Sequence, residues 1–382
     1  MRDDVIVIGS GPAGLACAAE LIGRGVSAAV LEEGEQIAAA WAGRYDSMRF
    51  NTSRLHSALP GAPFPRPWGQ FPTRDQYVGY LHEYARQHSV PVHTAVHADR
   101  VVRADDQWCV QSSTGPWHAR HVIVATGAFN RPRLPGWFTE TGFAGRVLHS
   151  ADYHHAAGFV GRDVVVVGAG STGMEIAAEV ARGGAKSVSL SVRTPPNILL
   201  RIMGGTPSDL PVPIFLHLPT AVVDRMLAMM QRWFIGDLSD YGLPAATEGV
   251  MAGLKRRGSG TAIVDPEVIE AIRTGLVRIV GEVNGLDGDG VLLVGDQRLR
   301  ADVVIAATGF DTGLEPLVGH LGVLDGRGLP RDGLGHEVLP GLRFVGYVPR
   351  PGITGYVGRL ARRAAPEIAA QERRKGAPSP VA

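Results

Sequence analysis

The chain has 382 residues, 45% of them hydrophobic and 20% charged, with 38 Lys and Arg against 37 Asp and Glu for a formal net charge of +1. That length exceeds one ordinary hydrophobic core and suits two domains, while the balanced, interspersed charge gives no basic face for nucleic acid. No apolar run approaches the roughly 18 residues that a membrane span needs, and Met1 to Asp4 lead into a short strand-like run rather than an export signal, so a cytoplasmic protein without a membrane span is expected.

In chain order, Val5 to Ile8 reads as a buried strand, Pro12 to Arg24 has helical periodicity, and Ser27 to Leu31 is a second apolar strand, a βαβ opening. The turn between the first strand and the helix is Gly9-Ser10-Gly11-Pro12-Ala13-Gly14. Gly9 makes the turn, Gly11 lets backbone approach a pyrophosphate, and Gly14 lets the helix pack on the sheet, with the helix N-terminus facing the phosphate charge. Glu32, at the end of the second strand, is placed to accept hydrogen bonds from an adenosine ribose. A glycine-rich turn without a ligand is the alternative. The next features are Trp41, the loop segment Phe50-Asn51-Thr52-Ser53 and a strand running into Ala125-Thr126-Gly127.

A second unit repeats the order: Val164 to Val167, then Gly168-Ala169-Gly170-Ser171-Thr172-Gly173, a helical run Met174 to Arg182 and a strand Val188 to Val192. Arg193 follows that strand where the first unit has an acid. A guanidinium pairs with a 2′-phosphate that a carboxylate would repel, so NADPH is favoured over NADH; an ordinary exposed arginine is the alternative. From Pro195 to Gly260 the βαβ rhythm breaks into a Pro-rich stretch, followed by an apolar helix, Ala221 to Ile235. Its Val222, Val223, Met226, Leu227, Met230, Trp233 and Phe234 cover a wide face, read as packing against its domain in preference to a substrate lid or a membrane contact. A strand from Val303 ends in Ala307-Thr308-Gly309, and from Arg373 on the chain reads as a disordered tail.

These elements predict an α/β protein of two Rossmann-like dinucleotide-binding domains, FAD at the first loop and NADPH at the second, with the NADPH domain inserted into the FAD domain. The expected limits are 1–155 for the first part of the FAD domain, 156–302 for the NADPH domain with an insertion at 195–260, and 303–382 for the rest of the FAD domain and the tail. The candidate cofactor-binding residues are Gly9, Gly11, Gly14, Glu32, Trp41, Thr126, Gly168, Gly170, Ser171, Thr172, Gly173, Arg193, Thr308 and Gly309. Cys17 and Cys109 are the two cysteines and lie far apart, with no zinc or C-x-x-C spacing, so the thiol chemistry of disulfide reductases is set aside. The histidines show no metal-binding spacing, and no metal is expected.

The segment Phe143-Ala144-Gly145-Arg146-Val147-Leu148-His149-Ser150-Ala151-Asp152-Tyr153 resembles the fingerprint of flavin-containing monooxygenases, with Phe143, Gly145, His149 and Tyr153 at the family's spacing. Gly173-Met174-Glu175-Ile176, the Ala-Thr-Gly-Phe run at 307–310 and Phe344-Val345-Gly346 extend the likeness, also to YUCCA-type members, over nearly the whole chain. Ser171 departs from it, since many relatives carry asparagine there. The resemblance implies that NADPH reduces FAD, that the reduced flavin adds molecular oxygen as a flavin hydroperoxide, and that a small molecule is oxygenated at a soft nitrogen or sulfur. It places Asn51 near the flavin as a catalytic candidate, with a plain loop or helix cap as the alternative. His149 is a second catalytic candidate, with a hydrogen-bonded hinge between domains as the other reading. Oxidative decarboxylation of a 2-oxo acid, Baeyer-Villiger insertion, a flavin reductase or oxidase without oxygen insertion, and a non-catalytic NADPH sensor remain open beside it.

Overall fold

Each glycine loop follows the middle strand of its own sheet. The computed structural model describes residues 3–139, 142–258 and 261–376. Its first sheet runs Leu334–Leu339, Leu342–Val345, His121–Val124, Val5–Ile8, Ala28–Leu31 and Val92–His93 in spatial order, parallel apart from the Leu334–Leu339 edge. Val5–Ile8 is buried at all four positions, as a strand covered on both faces must be. Alternation decides what each side chain meets. Val5 and Val7 join the core under the helices Pro12–Ile22 and Ile353–Gly376, whereas Ile6 and Ile8 pack with Val101, Trp108 and Val110 of an antiparallel three-stranded sheet.

The second sheet repeats the plan, as Arg278–Val280, Ser187–Ser191, Asp163–Val167, Val303–Ala306 and Arg146–His149, all parallel. The helix Ser171–Arg182 covers one face, where Val164, Val166 and Ile305 are buried. On the other face Val165, Val304 and Ala306 meet Val283, Val291 and Leu293 of a second antiparallel three-stranded sheet.

The strand limits correct the expected boundaries. Val303–Ala306 is an inner strand of the second sheet and Arg146–His149 its edge, so the second body begins before residue 156 and extends past 302. The two Ala-Thr-Gly runs look alike in sequence, yet each backs its own glycine loop, Ala125 behind Gly9 and Ala307 behind Gly168. All strands of the second sheet still fall between strands of the first along the chain. The two crossings lie side by side, Arg131–Pro132 pairing antiparallel with Phe310–Asp311.

Two further expectations change. The apolar helix spans Thr220–Phe234, but only Val223 and Leu227 are buried in it, while Val222, Met226, Met229, Trp233 and Phe234 are exposed, Trp233 at 82%. Its apolar side chains form one wide face, and the body covers only part of it. The helix Ile353–Gly376 carries residues 373–376 that were read as tail, held by its packing on Pro12–Ile22; the rest of that tail, 377–382, lies outside the described residues. No described helix is long and apolar enough to cross a membrane.

Candidate functional site

Gly9 leaves the first strand at φ 102°, and a Cβ there would meet the Ala125 carbonyl oxygen at 2.7 Å. A Cβ on Gly14 would lie 1.9 Å from the Gly9 carbonyl oxygen, so turn and helix touch through backbone alone. Gly11 differs: a Cβ would meet nothing within 4 Å, leaving open space at the start of Pro12–Ile22. No side chain caps that N-terminus and no acid lies in its first turn. Open space, uncapped N–H groups and the positive end of a helix dipole together fit a pyrophosphate.

Glu32 is buried beside this loop. Its Oε2 accepts from Ser10 N–H at 3.0 Å and Ser10 Oγ–H at 2.5 Å, and its Oε1 accepts from Gly34 N–H at 3.0 Å. Ser10 Oγ in turn accepts from Ala38 N–H at 2.8 Å. The acid thus braces the turn, and its oxygens retain lone pairs for further donors. Thr126 follows the backing strand, where its N–H donates to Tyr347 Oη at 3.1 Å and its Oγ1 shares a hydrogen bond with the same oxygen at 2.8 Å. Tyr347, which no sequence motif singles out, thus holds Thr126 behind the first loop.

The second loop has the same construction. Gly168 has φ 114° with the Ala307 carbonyl oxygen 2.5 Å from a Cβ, Gly173 would collide with the Gly168 carbonyl oxygen at 1.8 Å, and Gly170 again faces nothing within 4 Å. Ser171 and Thr172 open an uncapped helix without an early acid. Ser171 Oγ accepts from Ile263 N–H at 2.8 Å, so this departure from the family pattern ties the loop to the strand Thr261–Val264. Arg193 stands 77% exposed beyond the end of Ser187–Ser191, with Glu282 Oε1 no closer than 3.9 Å. Thr308 Oγ1 donates to the Arg133 carbonyl at 2.6 Å, and the Gly309 carbonyl accepts from Arg133 N–H at 2.9 Å.

Between the two bodies, Asn51 follows Phe50, whose ring stacks on Trp41 at 5.3 Å and meets Tyr77 edge-on at 4.5 Å. Trp41 is therefore part of an aromatic wall under the Asn51 segment. Arg201, buried at 3% exposure, reaches across from the second body: Nε donates to the Phe50 carbonyl at 3.0 Å, Nη2 to Asn51 Oδ1 at 3.1 Å and to Glu175, and Nη1 to Asp265 Oδ2 at 2.5 Å. Burial opposes the charge, yet Glu175 and Asp265 hold the Arg201 guanidinium above its ordinary pKa. Burial likewise pushes the Glu175 carboxyl up. Asp209 Oδ2 accepts from Ser53 N–H and Oγ–H, each at 2.8 Å, and pairs with His56 Nδ1 at 2.9 Å. No sequence motif marks Arg201 or Asp209; the one signal for Arg201 is a lone charge interrupting the apolar run Ile198 to Met203.

His149 does not join this group as an open acid. It is buried, its Nδ1 accepts from Ala151 N–H at 3.1 Å and its Nε2 donates to the Gly309 carbonyl at 3.1 Å. Burial lowers its pKa, and with both nitrogens engaged it fastens one crossing segment to the other. The rest of the fingerprint is packing. A Cβ on Gly145 would strike the Asp302 carbonyl oxygen at 2.5 Å and the Phe143 ring at 2.6 Å, and Tyr153 is buried against Phe159. Both cysteines are free and buried, and burial pushes the Cys17 thiol up to about 12.

Residues 6–198 match the family described as pyridine nucleotide-disulphide oxidoreductase. Over 364 residues the chain is 30% identical to the indole-3-pyruvate monooxygenase YUCCA1 of Oryza sativa subsp. japonica, covering 90% of this chain and 86% of that one. The chain belongs to the flavin-containing monooxygenase family. The probable indole-3-pyruvate monooxygenase YUCCA9 of Arabidopsis thaliana is 33% identical over 316 residues, 80% of this chain and 74% of that. A flavin-containing monooxygenase from Stenotrophomonas maltophilia superposes with a TM-score of 0.71 at 26% identity, over 97% of this chain and 99% of that one. The protein is a flavin-dependent monooxygenase, with two dinucleotide cradles suited to FAD and NADPH.

Proposed function

We propose that this flavin-containing monooxygenase binds FAD at Gly9–Gly14 and NADPH at Gly168–Gly173, and transfers one atom of molecular oxygen to a soft nitrogen or sulfur of a small molecule. The observation that carries the reading is the pair of matched, uncapped helix N-termini whose neighbouring strand ends differ in charge, Glu32 at one and Arg193 at the other. When bound, FAD supplies electron transfer from the nicotinamide and activation of oxygen. The chain's own residues hold and shield. Gly11 and Gly170 admit the pyrophosphates, Glu32 accepts from the adenosine ribose of FAD, and Arg193 pairs with the 2′-phosphate of NADPH. Asn51 turns its amide N–H groups away from Arg201 as fixed donors, and the Trp41, Phe50 and Tyr77 rings keep water from that side. A soft nucleophile needs no protein base, which accords with a neutral, fully engaged His149.

A second reading, oxidative decarboxylation of a 2-oxo acid, is favoured by the YUCCA relatives, which are indole-3-pyruvate monooxygenases. Incubation with NADPH and oxygen separates the two. A thioether and a tertiary amine are expected to yield products heavier by one oxygen atom in mass spectrometry. Carbon dioxide release from an aryl 2-oxo acid, with the thioether and amine untouched, would replace the first reading by the second.

A further inference from the structure

We infer that Arg201 is a positioning residue for Asn51: it dictates which end of the Asn51 amide is presented, and does so only while the two bodies are docked. The inference rests on the proposed role of Asn51 and deepens it. A guanidinium has five N–H donors and no acceptor. An amide N–H₂ turned toward it would find nothing to donate to, so Oδ1 must face Arg201 and Nδ2 must point the other way. Arg201 cannot swing aside, because its remaining donors hold the Phe50 carbonyl, Glu175 and Asp265 at the same time.

The same segment fixes the far end of the loop. Asp209, itself buried, takes Ser53 N–H, Ser53 Oγ–H and His56, so residues 50–56 are gripped at both ends by charges from the second body. Tyr45 and Ser47 add hydrogen bonds from the first body to Glu175 and Glu179. Asn51 therefore has a defined orientation only in the docked arrangement. A lysine at 201 keeps the charge but loses the planar fork and cannot serve all four acceptors.

Arg201→Lys, Asn51→Ala and the double variant test this in the flavin-loaded enzyme, reading the hydrogen peroxide released per NADPH oxidised in the presence of substrate. Both single variants should raise that fraction about fivefold, and the double variant should be no worse than Asn51→Ala, as two residues acting through one contact require. Flavin content and the rate at which NADPH bleaches the flavin check the cofactor sites. In the cofactor-free protein, hydrogen–deuterium exchange over residues 50–57 should quicken in Arg201→Lys, a readout that needs no turnover and no retained flavin. Wild-type peroxide release in Arg201→Lys alone, an additive loss in the double variant, or unchanged exchange would overturn the inference and leave the role of Asn51 standing. Wild-type peroxide release in Asn51→Ala would remove that role and the inference with it.

Discussion

In the proposed function, Arg193 is the residue on which the choice between NADPH and NADH turns. It stands 77% exposed with its nearest carboxylate 3.9 Å away, so its removal leaves no buried group unpaired. Arg193→Ala should shift stability by no more than about 0.5 kcal/mol. A charge-assisted hydrogen bond to the 2′-phosphate contributes about 1.5–3 kcal/mol, so KM for NADPH should rise at least about tenfold. KM for NADH should hardly move. Steady-state kinetics with both coenzymes checks this, and an equal loss with both would show that Arg193 does not touch the 2′-phosphate. The glycine loops were legible in the sequence because their reason is local: a Cβ at Gly14 or Gly173 meets backbone five residues away. Arg201 was not legible, because its partners Asn51, Glu175 and Asp265 lie 150, 26 and 64 positions off. His149 was half legible; its spacing marks the family, but the two hydrogen bonds by which it fastens the crossing segments are visible only in the fold.

The helix Thr220–Phe234 separates what a periodic pattern can say from what packing decides. Its apolar residues were seen, yet one stripe, Val222, Met226, Met229 and Trp233, faces outward, and Val223 and Leu227 face the core. Leu227→Ala should destabilise the protein by about 2–5 kcal/mol, the range for emptying a packed leucine site. Trp233→Lys should stay within about 0.5 kcal/mol of wild type, as substitutions free of buried contacts do. Urea unfolding of the two variants checks both; a similar loss in each would mean that the outward stripe is covered. The strands around each glycine loop were legible within a residue or two, since continuous apolar runs between turn signals leave few alternatives. Sheet membership was not, because Val303–Ala306 reads like any buried parallel strand and only pairing with Asp163–Val167 assigns it.

At the scale of the whole molecule, two similar bodies meet over a contact set made of charges as well as apolar packing. Tyr45, Ser47, Asn51, Ser53 and His56 from the first body meet Glu175, Glu179, Arg201 and Asp209 from the second. Buried charges held this way are costly to break, since either partner left alone is an uncompensated ion. That cost ties the Asn51 segment to the body bearing the second loop; in the proposed function it links oxygen chemistry to the dinucleotide held there. In the proposed function, electrons taken from NADPH end in an oxygenated product rather than in peroxide. The most direct measurement follows oxygen uptake and hydrogen peroxide release together as NADPH is consumed, with and without a thioether or tertiary amine substrate. Substrate should speed NADPH oxidation while peroxide falls to a small fraction of the oxygen consumed; peroxide equal to oxygen uptake with every substrate class, the 2-oxo acid included, would rule out oxygen transfer.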